Sequence, residues 1–264
     1  MMDMILHKLM LFINGAQEGS THRNLAIELV KHIDELKDLN IYEIAELCFV
    51  STSTLSRFCR ILGYKNFNSF KEALEKSYGF EIDYDKDYLQ VKDDIDHGIT
   101  YMKQIYAHSI NDMNEHFQKE KLIELAKQIH EHESIYIFGN IGYQFLAMYL
   151  QERLGLFKKI IHVSADILQQ DKVASRLKEN DLAIVVSPRG SSTVQSITLP
   201  FLYKKGAYTV LITQNDHSIY KERYHLLIQI GGTFDNNLGM ISFMYFIDQL
   251  VMIYYALYHD DLIV

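Results

Sequence analysis

The sequence predicts two domains of different class, an all-α domain at the N-terminus and an α/β domain with a parallel sheet at the C-terminus. Through residues 1–78, apolar residues recur only at helical spacing. From residue 98 onward, short apolar runs alternate with amphipathic helical patterns, which indicates strands covered by helices on both faces of a sheet. The acidic residues 79–97 separate the two patterns and are predicted to be a linker.

In the first domain, five helices are predicted. The N-terminal stretch predicts a short amphipathic helix, since the acidic Asp3 makes it a poor signal peptide. The apolar stripe of residues 20–38 predicts a second helix, which Asn40 ends. Three shorter helical patterns follow at residues 41–48, 52–62 and 67–77.

In the second domain, five apolar runs are predicted to be parallel strands, at residues 134–138, 159–163, 182–187, 208–213 and 225–230. Helical patterns precede and separate them, at residues 98–117, 120–131, 143–155, 166–177, 192–205, after Asp216 and at 238–258. This alternation is typical of an open α/β sheet with helices on both faces.

The net charge of −8 argues at first against nucleic-acid binding, but the charge is unevenly distributed. Residues 1–78 hold 9 Lys and Arg against 10 Asp and Glu, whereas the remaining residues hold 17 against 24. Residues 57–76 contain five basic residues and only two acidic ones. A locally basic face on an acidic protein is compatible with nucleic-acid binding at one surface only.

Two features predict a cytoplasmic location without a membrane partner. Cys48 and Cys59, the two cysteines, fall inside helical patterns with apolar neighbours and are predicted to be buried free thiols. Uninterrupted apolar runs stay below the roughly 18 residues that a membrane span needs.

Residues 41–60, IYEIAELCFVSTSTLSRFCR, have the spacing of two helices that cross at a tight turn, a helix-turn-helix. Such a crossing needs a small residue at the helix contact, which is Ala45. It also needs apolar residues at three more positions, which are Val50, Leu55 and Phe58. Spacing alone leaves open a generic pair of amphipathic helices, and Phe49 stands where glycine would ease the turn.

The second helix of this motif carries the predicted DNA contacts. Ser51 is placed to cap this helix. The first residues of the helix are predicted to enter the major groove, and Arg57, one turn further on, could reach a guanine or a phosphate. Lys65 and Lys71 are predicted to bind phosphates, which sets register and salt dependence. The complete predicted set is Ser51, Thr52, Ser53, Thr54, Ser56, Arg57, Arg60, Lys65 and Lys71.

The longer segment, residues 24–77, runs through IYEIAELCFVSTSTLSRFCRILGYKNFNSFKEALEKS. It resembles the DNA-binding domain of RpiR/MurR-type regulators, whose pattern reads E-(I/L)-A, then V-S-x-x-T-x-x-R-F-C-(R/K)-x-L-G-(Y/F)-x-x-F-x-x-F-K. The chain follows this pattern without a gap from Glu43 to Lys71. The resemblance implies a transcription regulator that binds a palindromic or pseudopalindromic double-stranded DNA operator as a homodimer or homotetramer.

Residues from about 107 to 250 contain three further segments of interest: SIYIFGNIGYQFLAMYLQERL, LAIVVSPRGSSTVQSITLPFLYKKGAYTVLIT and LGMISFMYFIDQLVMIYYAL. They resemble, in order, the G-x-G-x-S turn, the S-x-S-G-x-T turn and the closing helix, with Asp248, of a sugar-isomerase (SIS) domain. Members of the same family join this domain to the DNA-binding domain. The resemblance implies a doubly wound fold and a phosphorylated sugar as effector.

The two turns are predicted to form a phosphate site, because small hydroxyl residues and a helix N-terminus after parallel strands present suitable donors. The predicted ligand-binding residues are Gly139, Tyr143, Ser187, Arg189, Gly190, Ser191 and Ser192. Ile141, Tyr143 and Arg189 depart from the family pattern. Either Arg189 supplies phosphate donors while Tyr143 reshapes the sugar end, or the pocket is degenerate and the domain only dimerises.

A third hypothesis is catalysis, by a sugar-phosphate isomerase with a helical extension. Isomerisation needs a positioned base, and nothing in the context of the nearest candidates, Glu152 and Glu222, singles them out. We therefore expect no catalytic residue and no cofactor. No metal site is expected either, since His130 and His132 lie two residues apart and cannot share a helix face.

Overall fold

The structure, a computed structural model, describes residues 2–77, 94–139, 144–163, 167–187, 202, 204–215, 221–232 and 240–262. The chain divides into an N-terminal unit, Met1–Tyr84, and a C-terminal unit, Asp85–Val264. The division falls within the residues predicted to be a linker, and the domain limits of 78 and 98 stay predictions.

The N-terminal unit is built from helices that share one core. Residues 2–77 form α1 (Met2–Gly15), α2 (Thr21–Lys31), α3 (Ile41–Leu47), α4 (Thr52–Ile61) and α5 (Phe67–Ser77). Each helix contributes residues to this core, including Leu9, Leu29, Ile44, Phe58 and Phe70, all of them fully buried. The all-α prediction for this part of the chain is therefore confirmed.

The helix predicted over residues 20–38 is shorter than expected and ends at Lys31. Beyond it the chain continues in tight turns, such as the one in which the N–H of Glu35 donates to the carbonyl of His32 at 3.0 Å. Leu36 is nevertheless buried. Apolar spacing does not distinguish the two conformations, because both can place the same side chains in the core.

Cys48 and Cys59 are free and buried, as predicted. Burial raises the pKa of Cys48 to about 11, and the carboxylate of Glu28 adds to this increase. Burial also raises the pKa of Cys59 to about 12. Both thiols are therefore protonated at neutral pH and act as small apolar core groups.

The C-terminal unit begins, in its described part, with two helices and then alternates strands and helices. Its elements are α6 (Ile95–Glu115), α7 (Lys119–Glu131), β1 (Ile135–Gly139), α8 (Gln144–Gly155), β2 (Ile161–Val163), α9 (Ile167–Ala174), β3 (Leu182–Val186), β4 (Tyr208–Thr213), β5 (Leu226–Gln229) and α10 (Met240–Tyr258), with short 3-10 helices at Lys221–Arg223 and His259–Leu262. The helix predicted at residues 192–205 lies almost entirely outside the described residues.

The five strands form one parallel sheet in the order β2-β1-β3-β4-β5. All five strands are those predicted from the sequence. One face of the sheet packs on α7, α8 and α10, and the other packs on α9 and on Leu202 and Tyr224. The central strand β3 is buried along its whole length, as expected for a strand covered on both faces.

Helix α10 is long and apolar enough to cross a membrane when judged by length and composition alone. A core helix can meet the same test, and residues such as Phe243, Ile247 and Leu250 of α10 are buried against the sheet. The apolar character of α10 is thus weak evidence for a membrane span.

Candidate functional site

The turn between α3 and α4 is closed by two main-chain hydrogen bonds. The N–H of Phe49 donates to the carbonyl of Glu46 at 3.0 Å, and the N–H of Val50 donates to that of Ala45 at 2.9 Å. This pairing is a Schellman motif, which places Phe49 in the left-handed region with φ of 56°. The turn therefore does require the conformation that favours glycine.

Both helices of the motif begin at capped residues. Asn40 accepts hydrogen bonds from the N–H of Tyr42 at 2.9 Å and of Glu43 at 3.2 Å, while the Glu43 carboxylate accepts the N–H of Asn40 at 2.6 Å. This reciprocal arrangement is a capping box. Ser51 accepts the N–H of Thr54 at 3.1 Å and so caps α4, as predicted.

The apolar positions of the motif hold α3 and α4 together. Ala45, Leu55 and Phe58 are buried, and Val50 packs against the same core in a partly buried position. The ring of Phe58 meets Phe12 of α1 edge-on, with ring centroids 5.0 Å apart. The crossing predicted from spacing is therefore present, and it is anchored to the rest of the unit.

The polar side of α4 is accessible. Ser51, Ser53, Arg57 and Arg60 are exposed, and Thr52, Thr54 and Ser56 are half-buried. Within the part of the chain that the structure describes, the guanidinium groups of Arg57 and Arg60 form no ion pair with an acidic side chain. Both guanidinium groups are therefore accessible to a partner outside the chain.

The two lysines predicted to bind phosphate differ in their surroundings. Lys65 is exposed and stays a candidate. The ammonium group of Lys71 donates instead to three carbonyls, those of Leu36 at 2.8 Å and of Lys37 and Leu39 at 2.5 Å. Since these bonds use all three of its hydrogens, the prediction of a phosphate contact for Lys71 is corrected to a structural role.

The end of α4 is fixed by a second Schellman motif and by a lysine that the sequence did not indicate. Gly63 has φ of 89°, and the N–H of Tyr64 donates to the carbonyl of Cys59 at 2.9 Å. Lys8 of α1 donates to the carbonyl of Leu62 at 2.9 Å and lies 4.6 Å from the centre of the Tyr64 ring. The orientation of α4 thus depends on α1.

The candidate ligand site lies where the parallel strands end. The register places Gly139, the last residue of β1, beside Val186 of β3, and Val186 beside Ile212 of β4. Ser187 follows β3 directly, and Thr213 ends β4. Open α/β sheets bind their ligands outside this edge.

Ser187 is 1% exposed, and its hydroxyl has no hydrogen-bond partner among the described residues. Its N–H donates to the carbonyl of Ile212 at 3.0 Å, which fixes it beside β4. Thr213 differs, since its hydroxyl accepts the N–H of Asn215 at 3.0 Å. A buried hydroxyl without a partner is costly, so a ligand that completes its hydrogen bonding would be stabilised there.

The remaining predicted ligand residues, Tyr143, Arg189, Gly190, Ser191 and Ser192, lie outside the described residues, as does Ile141. Gly139 is described, and its main chain is already paired. Its N–H donates to the side-chain oxygen of Gln170 at 3.3 Å, and its carbonyl accepts from the amide of Gln170 at 2.9 Å. The main-chain N–H of Gly139 is therefore not a free donor for a ligand, and the role left to Gly139 is to set the direction in which the chain leaves β1. Sequence reasoning did not identify Gln170.

At the end of β5 the chain is held by α6, the helix that follows the linker residues. Asp112 accepts the N–H of Gly232 at 2.7 Å and lies 3.1 Å from the ring nitrogen Nδ1 of His116. Gly231 has φ of 84°, and a Cβ there would lie 2.5 Å from the Asp112 carboxylate. This close approach ties the C-terminal part of α6 to the edge of the sheet at which ligands are expected.

Comparison with known families matches both parts of the chain. Residues 13–80 match the helix-turn-helix domain of the rpiR family. Residues 128–259, half of the chain, match the SIS domain. The order of the two domains is the one expected from the sequence.

An HTH-type transcriptional regulator of Providencia stuartii is 26% identical over 201 residues, which are 74% of this chain and 69% of the relative. NanR of Vibrio vulnificus, solved in complex with ManNAc-6P, is similar in fold with a TM-score of 0.56 at 21% identity, over 97% of this chain and 93% of NanR. A proposed sugar-phosphate isomerase of Listeria monocytogenes gives a TM-score of 0.54 at 15% identity, over 62% and 91% of the two chains. The chain belongs to the rpiR family of helix-turn-helix transcriptional regulators with a SIS domain.

Proposed function

We propose that a phosphorylated sugar binds at the carboxyl ends of β1 and β3 and controls the affinity of this regulator for its DNA operator. The observation that carries the proposal is the buried hydroxyl of Ser187, which has no hydrogen-bond partner among the residues that the structure describes. A hydroxyl directly after a parallel strand is a donor that suits phosphate. The complex of Vibrio vulnificus NanR with ManNAc-6P supports this class of ligand.

The DNA-binding surface is the polar side of α4. Its first residues, Thr52 and Ser53, would contact base edges in the major groove, and Arg57 would contact a guanine or a phosphate. Lys65 would contact a phosphate. The capped start of α4 and the exposed guanidinium of Arg57 support this assignment.

The protein acts as a homodimer or homotetramer, because reading a palindromic operator needs two copies of α4 about one DNA turn apart. Two touching helices of the C-terminal unit, α8 and α10, support a contact between copies. They are joined by the hydroxyl of Tyr149, which donates to Asp248 at 2.8 Å. The two helices, together with Leu156 directly after α8, carry the exposed apolar side chains of Phe145, Met148, Leu156, Met244, Met252 and Tyr255.

Sugar binding would favour one arrangement of the oligomer over another and so change DNA affinity through a linked equilibrium. The tie between Asp112 of α6 and Gly232 supports such a link, since α6 follows the linker in sequence. We propose repression of genes for sugar uptake or use, in the cytoplasm.

The ligand proposal is tested by thermal denaturation in the presence of N-acetylmannosamine 6-phosphate, glucose 6-phosphate, fructose 6-phosphate and ribose 5-phosphate. A sugar at 100 times its Kd adds about 2.7 kcal/mol, which raises Tm by about 2–4 °C for each kcal/mol in a domain of this size. We expect Ser187→Ala to abolish the shift, while Ser134→Ala, at the opposite end of the sheet, keeps it. If no phosphorylated sugar raises Tm, the degenerate-pocket hypothesis is the correct one.

The DNA proposal is tested with the operator selected from random or genomic DNA by the wild-type protein. Arg57→Ala should abolish operator binding in a gel-shift assay without changing folding or oligomeric mass. Lys31→Ala is the matched control, because Lys31 is a basic residue of the same unit whose side chain pairs with Glu28 within α2 at 2.7 Å. Operator binding that survives in Arg57→Ala would remove α4 from the role proposed for it.

We propose that the SIS domain does not catalyse isomerisation. The candidate bases Glu152 and Glu222 are both exposed, which leaves neither of them in the sheltered position that proton abstraction from a bound sugar requires. The purified protein should therefore leave the same four sugar phosphates unchanged in an assay by mass spectrometry and NMR. Interconversion that is lost in Ser187→Ala would establish the isomerase alternative.

A further inference from the structure

The side chain of Gln170 forms an unusual pair of hydrogen bonds inside the C-terminal unit. It is 2% exposed, and both ends of its amide bond the same residue, Gly139. The amide oxygen accepts from the N–H of Gly139 at 3.3 Å, and the amide nitrogen donates to its carbonyl at 2.9 Å. A distant helix, α9, thus holds the last residue of β1.

The pairing satisfies both main-chain groups of Gly139, which is buried at the end of β1. Among the described residues, β2 pairs with β1 from Ile135 to Ile137. Buried main-chain groups left unpaired are costly. The amide of Gln170 supplies one donor and one acceptor to the main chain of Gly139.

Gly139 is also confined on the side of β3. A Cβ at this position would lie 3.3 Å from the carbonyl oxygen of Val186 and 3.4 Å from its Cβ. Gly139 is therefore held between Val186 and Gln170, and Val186 leads directly into Ser187. The relative position of the two strand ends at which we place the ligand depends on this contact.

We propose that Gln170 is a positioning residue for the sugar phosphate, which it does not touch. It acts through Gly139, by fixing the point at which the chain leaves β1 beside Ser187. This inference rests on the proposed function, because it assumes that the ligand binds at the carboxyl ends of β1 and β3. It goes beyond that function in assigning part of the affinity to a residue of α9.

The test compares Gln170→Met with Gln151→Met in the full-length protein. Methionine keeps the length and the apolar volume of the side chain but removes its hydrogen bonds. Gln151 is the matched control, because its amide donates to a main-chain carbonyl at the other end of the sheet, that of Ile161, at 2.6 Å. Titration calorimetry measures the Kd of the panel sugar that gives the largest thermal shift with wild type, and hydrogen exchange reports on the amide of Gly139.

We expect both variants to unfold at a lower temperature than wild type. Gln170→Met alone should bind the sugar about tenfold more weakly, the change produced by losing about 1.4 kcal/mol, and should exchange the Gly139 amide faster. Gln151→Met should keep the wild-type Kd. If wild type binds and Gln170→Met binds equally well, or if Gln151→Met loses as much affinity, the positioning role is overturned while the proposed function stands. If wild type binds none of the panel sugars, the proposed function fails, and this inference fails with it.

Discussion

Phe49 adopts a left-handed backbone conformation in the turn between α3 and α4, with its side chain 88% exposed. A residue with a Cβ is disfavoured there by about 1–2 kcal/mol, whereas glycine is free of this strain but has about 0.5–1 kcal/mol more conformational entropy to lose on folding. Removing an exposed ring costs little burial. We therefore expect Phe49→Gly to stabilise the N-terminal unit by roughly 0.5–1 kcal/mol, as measured by urea denaturation.

Phe49→Ala is the control for this prediction. Alanine removes the ring but keeps the Cβ, so it should not reproduce the stabilisation. Equal unfolding free energies for the two variants would mean that the ring, rather than the backbone conformation, determines the stability of the turn.

Single residues were predictable where their partners are close in sequence. Ser51 caps a helix through a residue three positions away, and Gly63 ends one, so local rules identify both. Lys71 and Gln170 bond main-chain groups more than 30 residues away. The residues adjacent to them in sequence do not indicate these partners, so the sequence alone predicts that Lys71 contacts DNA.

At the scale of the elements, Lys65, between α4 and α5, and Lys71, within α5, have different expected roles. Lys71 should stabilise the fold, whereas Lys65 should contact DNA. The ammonium of Lys71 joins α5 to the three carbonyls that follow α2. Hydrogen bonds from a charged group contribute about 1.5–3 kcal/mol each at most, and part of this is recovered when water replaces the lysine. We expect Lys71→Met to destabilise the N-terminal unit by about 1–3 kcal/mol, measured by urea denaturation, while folded protein keeps the salt dependence of its DNA affinity.

Lys65→Met should give the reverse pattern. Lys65 is exposed, so its loss should leave the unfolding free energy unchanged. The slope of log K against log salt should fall by about 0.9 for the one lost phosphate contact. A Lys71→Met protein that is as stable as wild type and has a smaller salt slope would return Lys71 to the phosphate contacts.

The elements themselves were predictable to different degrees. The five strands were predictable because each is a short apolar run between helical patterns, which is typical of parallel strands covered by helices. The end of α2 at Lys31 was not found, because the turns that follow it keep Leu36 in the core. In these turns, the carbonyls of Leu36, Lys37 and Leu39 accept hydrogen bonds from Lys71. The spacing of apolar residues contains no information about such main-chain hydrogen bonds.

At the scale of the whole molecule, the two-part organisation was visible as a change of pattern along the chain, whereas the ligand site was predicted only as a place. The sequence located the strand ends, because parallel strands must all end at one edge. It did not show that the Gly139 main chain is already paired, or that the Ser187 hydroxyl finds no partner in the described part of the chain. These properties depend on which segments meet in three dimensions.

The outer surface of α8 and α10 gives the prediction for the assembled molecule. Met148 of α8 is 57% exposed, and Met252 of α10 is 63% exposed. Exposed apolar residues on adjacent helices mark a contact surface more often than a solvated one. We expect the double variant Met148→Glu, Met252→Glu to shift the molar mass measured by light scattering to that of the monomer, and to weaken operator binding because two linked copies of α4 no longer engage together.

Phe117→Glu provides the matched control, since Phe117 is 42% exposed and lies outside α8 and α10. It adds the same kind of charge at an exposed apolar position of the same unit and should leave the mass unchanged.

Circular dichroism of all the variants shows whether they fold. A folded Met148→Glu, Met252→Glu protein that keeps the oligomeric mass would place the contact between copies elsewhere, and the apolar surface of α10 would then need another explanation. A folded monomer that still binds a panel sugar, but binds a single half-site instead of the full operator, would separate the two roles that we propose for the C-terminal unit, which are to sense the sugar and to join the copies.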